Sequence, residues 1–295
     1  MYAITDMGNM RSNNEDQFLL EKISGWTVAA VADGMGGAAG GEVASWLAVD
    51  TVRRLIHQNA GRLPVVEMME DCLLLAHERI RRRGETSFGN INMGTTLTLA
   101  TVPPPEDADA VTRNLYVAHV GDSRLYLIDV EGIRQVTRDH SMTQHLLDSG
   151  VLTEKTARNF RFRNVIYKSL GGSQQLDPDP VACVEVPLGA VLLLCSDGLS
   201  NSIEPMEMWS IVHHTRDLRE AARTMVDLAL CRDGTDNITV AVVAVGRPRF
   251  ASSRPRLPED ADKPRHWQKR RRRLILLLSV LLALLLATLI SLGFQ

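Results

Sequence analysis

The chain has 295 residues, 45% of them hydrophobic, so it is long enough to bury a sizeable core. Its formal charge of −2 is unevenly divided, because residues 247–273 carry eleven basic and three acidic side chains and residues 274–295 carry none, which leaves about −10 for residues 1–246. An acidic globular part argues against nucleic acid as the main partner. The four cysteines form no C-x-x-C pair, which argues against a zinc site and a disulfide framework.

Short apolar runs alternate with a few amphipathic segments over residues 1–246. The pattern predicts nine strands, at Tyr2–Asp6, Gln17–Lys22, Thr27–Ala32, Thr95–Val102, Leu115–Val120, Arg124–Asp129, Val181–Pro187, Ala190–Cys195 and Ile238–Val245. It predicts five helices, at Glu42–Asn59, Val65–Arg83, Met142–Ser149, Pro205–His213 and Leu218–Cys231. Because several strands follow one another without an intervening helix, antiparallel sheets are favoured over a doubly wound parallel sheet. The polar stretch Met142–Asn164 is poor in strand signals and is expected to form a flap.

The stretch VADGMGGAAGGEVAS, Val31 to Ser45, reads as a strand, a glycine-rich turn and the start of a helix. Its G-M-G-G-A-A segment fits the fingerprint of a dinucleotide-binding oxidoreductase. Against that alternative, Asp33 would lie beside the pyrophosphate, and the acidic residue expected about 20 residues later, Asp50, falls within a helical pattern. The other interpretation makes Asp33 part of a metal site.

Four aspartates lie at the ends of apolar strands, although aspartate is disfavoured in strands and its charge is costly to bury. Asp33, Asp122 and Asp197 follow apolar strands, and Asp236 precedes one. If these ends converge, the carboxylates repel one another unless cations neutralise them, and oxygen ligands favour Mg²⁺ or Mn²⁺. Two such ions can activate water for in-line displacement at phosphorus.

The segment RSNNED adds Arg11, Glu15 and Asp16 near the N-terminus. The planar guanidinium of Arg11 suits a phosphate group, but a surface ion pair with Glu15 explains the same residues equally well. Both interpretations stay open from charge alone.

Eight segments in this order resemble the metal-dependent protein phosphatase family, protein phosphatase 2C, in its bacterial serine/threonine branch. They are TDMGNMRSNNED (Thr5–Asp16), VADGMGG (Val31–Gly37), GEVAS (Gly41–Ser45), GTTL (Gly94–Leu97), VGDSRLY (Val120–Tyr126), TRDHS (Thr137–Ser141), CSDGL (Cys195–Leu199) and DNIT (Asp236–Thr239). The resemblance implies an α+β fold, a sandwich of two antiparallel β-sheets flanked by α-helices. It also implies hydrolysis of phosphoserine or phosphothreonine on proteins by a hydroxide that bridges two Mg²⁺ or Mn²⁺ ions.

The resemblance assigns roles to individual residues. It makes Asp33 the bridge between the two central ions, and Arg11 the phosphate ligand. The remaining implied roles are Glu15 and the Gly34 carbonyl on one ion, Asp197 and Asp236 on the other, Asp122 with Asp197 on a third, and Asp16 orienting the water. The implied partners are phosphorylated proteins, namely the targets of a serine/threonine kinase and the kinase itself.

Some positions depart from the pattern or invite other roles. Met35 stands where many eukaryotic members have a histidine, so the general acid is unassigned and a metal-bound water is the expected substitute. His140 is expected to have a structural hydrogen-bonding role, and Cys195 to be a core residue. Lys168 stands where the bacterial branch usually has arginine. A catalytically weak, membrane-anchored phosphoprotein-binding module is the alternative function, and the complete acidic set argues against it.

The C-terminal stretch Leu274–Phe294 is apolar and long enough to cross a bilayer as a helix. The basic cluster Lys269–Arg273 before it predicts a cytoplasmic catalytic domain and a single-pass protein of the inner (cytoplasmic) membrane. The predicted organisation is a phosphatase domain over 1–246, an unstructured Pro-rich basic linker over 247–273 and a transmembrane helix over 274–294. Small residues recur every four positions in the span, a pattern that permits weak self-association, at Ser279, Ala283, Ala287 and Ser291.

Overall fold

The computed structural model describes residues 1–36, 40–87, 93–105, 107, 109–157, 160–162, 165–172 and 175–246. The strands formed by these residues are β1 (Tyr2–Asp6), β2 (Asp16–Ile23), β3 (Trp26–Met35), β4 (Gly94–Thr95), β5 (Leu97–Val102), β6 (Thr112–Val120), β7 (Arg124–Ile128), β8 (Ile133–Gln135), β9 (Ala182–Pro187), β10 (Val191–Cys195) and β11 (Ile238–Ala244). The helices are α1 (Gly40–Asn59), α2 (Val65–Ser87), α3 (Met142–Asp148), α4 (Glu154–Ala157), α5 (Asp197–Ser200), α6 (Pro205–His214) and α7 (Leu218–Arg232).

Two antiparallel sheets organise the domain. One has the strand order β1-β11-β10-β7-β8, and the other has the order β2-β3-β5-β6-β9, with β4 paired to the end of β3. The turn between β6 and β7 joins the two sheets without forming a hairpin, since β6 pairs with β5 and β9 while β7 pairs with β10 and β8. The predicted antiparallel arrangement is therefore confirmed.

Alternating side chains of each strand enter different cores, as the two-residue period of a strand requires. In β3, Ala29 and Val31 pack between the sheets with Leu192 and Ala241. The intervening residues of β3 pack instead under α1 and α2. On the outer face of the other sheet, alternate residues of β10 and β11 pack under α6 and α7. The layers are thus helices, sheet, sheet and helices, which confirms the predicted α+β sandwich.

The strand predicted over Thr95–Val102 is interrupted at Thr96. Residues Gly94 and Thr95 pair with Met35 and Gly34, while β5 pairs with earlier residues of β3. Thr96 leaves the ladder because its amide donates to the carbonyl of Asp33 at 2.9 Å. Three short elements, β8, α4 and α5, have no periodic signal in the sequence and are not among the predicted ones.

No helix among the described residues has the length and apolar character needed to cross a membrane. The predicted linker, the predicted transmembrane helix and its small-residue stripe all lie outside the described residues. The described part of the predicted flap contains α3 and α4.

Candidate active site

The acidic residues predicted from the sequence meet at one end of the sandwich. They surround a cavity of about 480 Å³. The acidic side chains that line it are Glu15, Asp33, Asp122, Asp197 and Asp236. The other lining residues include Arg11, Gly34, Met35, Thr96 and Ile166. The strand-end placement of the aspartates therefore produces one shared site.

Close backbone packing holds the Glu15 and Gly34 region together. The amide of Gly34 donates to the carbonyl of Glu15 at 3.1 Å, and the hydroxyl of Ser45 in α1 donates to the same carbonyl at 2.6 Å. A Cβ on Gly34 would lie 2.2 Å from the carbonyl oxygen of Gly41, so only glycine fits. The glycines of the turn thus let α1 approach the strand that carries Asp33.

The backbone of Asp33 is fixed by two threonines. Its amide donates to the Thr96 hydroxyl at 2.9 Å, and its carbonyl accepts from the Thr95 hydroxyl at 2.9 Å. The Thr96 hydroxyl also contacts the hydroxyl of Ser123, next to Asp122. These hydroxyls hold the Asp33 and Asp122 loops in a fixed relation to each other.

Asp16 lies beneath the cavity and is only 1% exposed. Its Oδ2 accepts from the hydroxyls of Ser196 and Thr239, each at 2.7 Å. Its Oδ1 is buried without a hydrogen-bond partner among the described residues. Burial raises the pKa of Asp16 to about 7, although the two hydroxyls act in the opposite direction.

Asn237, which follows Asp236, ties the N-terminal segment to β11. Its Oδ1 accepts from the amide of Glu15 at 2.8 Å. Its Nδ2 donates to the carbonyls of Met7 and Asn13, both at 2.9 Å. The side chain thus positions the Arg11–Glu15 segment from behind.

The ionised forms of the carboxylates around the cavity are destabilised by burial and by one another. Burial first, and then the carboxylates of Asp16 and Asp197, raise the pKa of Asp33 well above its ordinary value. Burial, with Asp236 next, raises the pKa of Asp197. Burial raises the pKa of Asp122 to about 7, and the charge of Asp197 adds to the effect. Positive charge is what this cluster lacks.

The donor set fits a hard divalent cation, because every donor is an oxygen and Asp197 Oδ1 is buried without a hydrogen-bond partner in the described part of the chain. In that same part, no three His, Cys, Asp or Glu side chains converge closely enough to hold an ion as they stand. Arg11 pairs with Asp236, so a cation of the chain itself already contacts this carboxylate. An ion bound by Asp236 therefore competes with Arg11 for the carboxylate.

The chain matches a known protein family over most of its length. The model of the protein phosphatase 2C family matches residues 9–231. The chain belongs to the protein phosphatase 2C family. Among its relatives, the serine/threonine phosphatase stp of Listeria monocytogenes serotype 4b is 32% identical over 243 residues, which are 81% of this chain and 93% of that protein. Protein phosphatase PhpP of Streptococcus pneumoniae is 33% identical over 252 residues, 82% of this chain and 96% of that one.

Solved structures agree with the sequence comparison. The crystal structure of the Mycobacterium tuberculosis serine/threonine phosphatase PstP/Ppp superimposes with a TM-score of 0.72 at 31% identity, covering 83% of this chain and 97% of that one. The PstP catalytic domain in complex with two manganese ions gives a TM-score of 0.71 at 30% identity, with the same coverage. The predicted family, enzyme class and dependence on Mg²⁺ or Mn²⁺ are confirmed, and this chain is a metal-dependent serine/threonine protein phosphatase. The dinucleotide-binding alternative is wrong, and the phosphoprotein-binding alternative is not favoured.

Three further residues for which the sequence raised chemical roles are Arg11, Cys195 and Met35. Arg11 Nη2 lies 2.8 Å from Asp236 Oδ2, so the ion pair considered for Arg11 forms with Asp236, not with Glu15. Burial raises the pKa of the Cys195 thiol to about 12, so it is no nucleophile at neutral pH. Met35 lines the cavity and has no acidic proton to give to a leaving group.

Several residues that shape the site were not predicted from the sequence. Ser196 and Thr239 hold Asp16, and Thr96 holds Asp33. All three lie inside or beside the eight segments that carry the family resemblance. Ser196 directly precedes Asp197, and a hydroxyl residue next to a strand-end aspartate is the signal that would have identified it, whereas Thr96 and Thr239 have no such neighbour.

Proposed function

We propose that this phosphatase binds two central Mg²⁺ or Mn²⁺ ions through its strand-end carboxylates and a third through Asp122. Glu15, the Gly34 carbonyl and Asp33 hold one central ion. Asp33, Asp197 and Asp236 hold the other, while Asp122 and Asp197 hold the third. When bound, the ions supply an activated water and neutralise charge on the phosphoryl group. The observation that carries this proposal is the set of five carboxylates around one cavity, two of them with strongly raised pKa values.

The residues of the chain act on the phosphoprotein and on the water. Arg11 leaves Asp236 and binds two phosphoryl oxygens through its planar guanidinium. Asp16, held by the hydroxyls of Ser196 and Thr239, keeps one oxygen free to orient the attacking water.

The direct test is the release of phosphate from phosphoseryl and phosphothreonyl peptides by the full-length chain in detergent, with and without Mn²⁺. Asp33→Asn and Asp197→Asn are expected to lower kcat/KM by about 100-fold or more, since each removes a ligand. Asp50→Asn is the matched control, because Asp50 pairs with Arg54 and Arg79 on helices outside the cavity. Activity that survives in both site variants contradicts the proposed ligand roles.

We further propose that the protein is anchored in the inner (cytoplasmic) membrane by residues 274–294, with residues 1–246 in the cytoplasm and 247–273 as the linker. The support is the uncharged stretch that follows the basic residues 269–273. Extraction of membranes with alkaline carbonate is expected to leave the full-length chain in the pellet and a chain ending at residue 252 in the supernatant. External protease is expected to spare the domain in intact cells, and digestion of it there contradicts the topology.

A membrane anchor restricts the partners to those near the bilayer, because tethering raises their local concentration. We propose that the substrates are targets of a membrane-associated serine/threonine kinase, and the kinase itself. Phosphoproteomics of cells with the Asp197→Asn variant is expected to show increased phosphorylation of such proteins. Self-association through residues 279, 283, 287 and 291 is a further proposal, and a monomeric span in bilayer crosslinking contradicts it.

A further inference from the structure

The segment from Val165 to Gly172 lies along the rim of the catalytic cavity, where Ile166 is a lining residue. One end of it is bound to the start of α3, since the Met142 amide donates to the Val165 carbonyl at 2.8 Å. Its other end is bound to β4 through paired hydrogen bonds between Thr95 and Leu170, at 2.9 and 3.0 Å. We call residues 165–172 the rim segment.

His140 joins the rim segment to the loop that carries Asp122. Its carbonyl accepts from the amide of Tyr167 at 2.9 Å, and its own amide donates to the carbonyl of Gly121 at 2.7 Å. Its Nδ1 accepts from the amide of Gly121 at 3.1 Å. An accepting Nδ1 carries no proton in the neutral ring, so Nε2 carries it and donates to Asp179 Oδ2 at 3.0 Å.

Asp179 has a second partner in the rim segment. Its Oδ1 pairs with Nζ of Lys168, while its Oδ2 holds the ring of His140. One carboxylate thus connects the rim segment, through Lys168, with the Gly121–Asp122 backbone, through His140. The ring of His140 is 4% exposed, and its orientation is fixed by these partners and by its packing on the rings of His119 and Tyr167.

The backbone of Gly121 has little conformational freedom. Its φ of +107° is a conformation that suits glycine, and a Cβ there would lie 2.5 Å from the Thr96 side chain. Thr96 in turn accepts from the amide of Asp33. Gly121 thus directly precedes Asp122 and lies against the threonine that holds the backbone of Asp33.

We propose that Asp179 is a positioning residue for the phosphatase reaction, acting on the metal site through His140 and on the phosphopeptide rim through Lys168. The assignment rests on the proposed role of Asp122 as an ion ligand. Substitution of Asp179 is expected to weaken both Mn²⁺ binding at Asp122 and peptide binding at the rim. Residues that hold metal ligands in place typically contribute about 10–100-fold to metal affinity.

Asp179→Ala in the full-length chain tests the proposal, with Asp50→Ala as the control because Asp50 likewise connects two side chains, Arg54 and Arg79, away from the cavity. Titration of Mn²⁺ followed by electron paramagnetic resonance is expected to show about tenfold weaker binding of the weakest ion in Asp179→Ala and no change in the control. The KM for a phosphothreonyl peptide is expected to rise severalfold, with kcat at saturating Mn²⁺ within about threefold. Asp179→Glu is expected to restore both values in part. A change in only one of the two quantities, or in neither, overturns the shared role.

Two further measurements separate this proposal from the assignment of the site. Hydrogen exchange of the metal-free protein reports the coupling without activity, and Asp179→Ala is expected to speed exchange of the amides of Gly121 and Tyr167 together. Unchanged exchange overturns the proposal even if the wild-type enzyme is active, whereas absent Mn²⁺-dependent activity in the wild type overturns the proposed function alone. If Asp179→Ala does not fold, Lys168→Met replaces it. That variant is expected to raise the peptide KM without changing Mn²⁺ affinity, and an unchanged KM overturns the rim contact.

Discussion

The guanidinium of Arg11 and the carboxylate of Asp236 form an ion pair, with 2.8 Å between Nη2 and Oδ2. The two residues are 225 positions apart in the chain and meet at the mouth of the cavity. Arg11 is about half exposed, so the pair contributes no more than about 1 kcal/mol to stability. The proposed value of the contact is functional, because it holds the proposed phosphate ligand beside the proposed ion site.

Arg11→Ala is expected to lower kcat/KM for a phosphothreonyl peptide by about 10–100-fold, since a hydrogen-bonded charge on the phosphoryl group is lost. The change in unfolding free energy of the metal-free protein is expected to stay below about 1 kcal/mol. Arg11→Lys is the matched variant. It keeps the charge without the planar pair of donors and is expected to fall between wild type and Arg11→Ala. Wild-type kcat/KM in Arg11→Ala contradicts a role in phosphate binding.

The close approach at Gly34 gives a second prediction. Gly34→Ala places a Cβ 2.2 Å from the Gly41 carbonyl oxygen, and neither backbone can move without displacing Asp33 or α1. Destabilisation of about 2–3 kcal/mol and loss of Mn²⁺ binding are expected, measured by urea unfolding and by titration. Gly150→Ala is the control, because its φ of +71° is unfavourable for alanine but open space surrounds it. Equal effects of the two variants on Mn²⁺ affinity contradict this account.

The thiols give a third prediction. Cys195 is buried with a pKa raised to about 12 by burial, whereas Cys231 is exposed. A thiol reagent is expected to label Cys231 in the native enzyme and to leave Cys195 unmodified, with phosphatase activity retained. Cys195→Ala is expected to keep kcat within about threefold and to destabilise the fold by about 1–2 kcal/mol. Loss of most activity in this variant, with the fold intact, contradicts the absence of a cysteine nucleophile.

The strand ends with their aspartates were predictable because each combines an apolar run with a residue that strands disfavour. The nine predicted strands indicated antiparallel sheets, whereas the sandwich of two sheets was expected from the family resemblance. Alternation within β3 separates the two cores that flank it. Long-range polar contacts leave no such periodic signal. The partner of Arg11 and the connection of Asp179 with His140 and Lys168 therefore came only from the structure.

The convergence of acidic residues also makes stability depend on pH when no metal is bound. Burial raises the pKa of Asp16 and Asp122 to about 7, from an ordinary value of 3.8, and it raises the pKa of Asp33 well above that ordinary value. Between those values the folded state binds more protons than the unfolded state. The free energy of unfolding accordingly falls as the pH rises from about 4 through 7.

In the presence of EDTA, the protein is therefore expected to be more stable at pH 5.5 than at pH 7.5, by about 1–3 kcal/mol in urea unfolding. Asp122→Asn is expected to reduce this difference, because one of the raised carboxyl groups is removed. Saturating Mn²⁺ is expected to increase stability most at pH 7.5, where the carboxylates are ionised, by about 2.7 kcal/mol at 100 times its dissociation constant. Asp50→Asn, remote from the cavity, is expected to keep the wild-type pH dependence. Metal-free protein that is equally stable at both pH values contradicts the raised pKa values, and with them the electrostatic reason for a cation at this site.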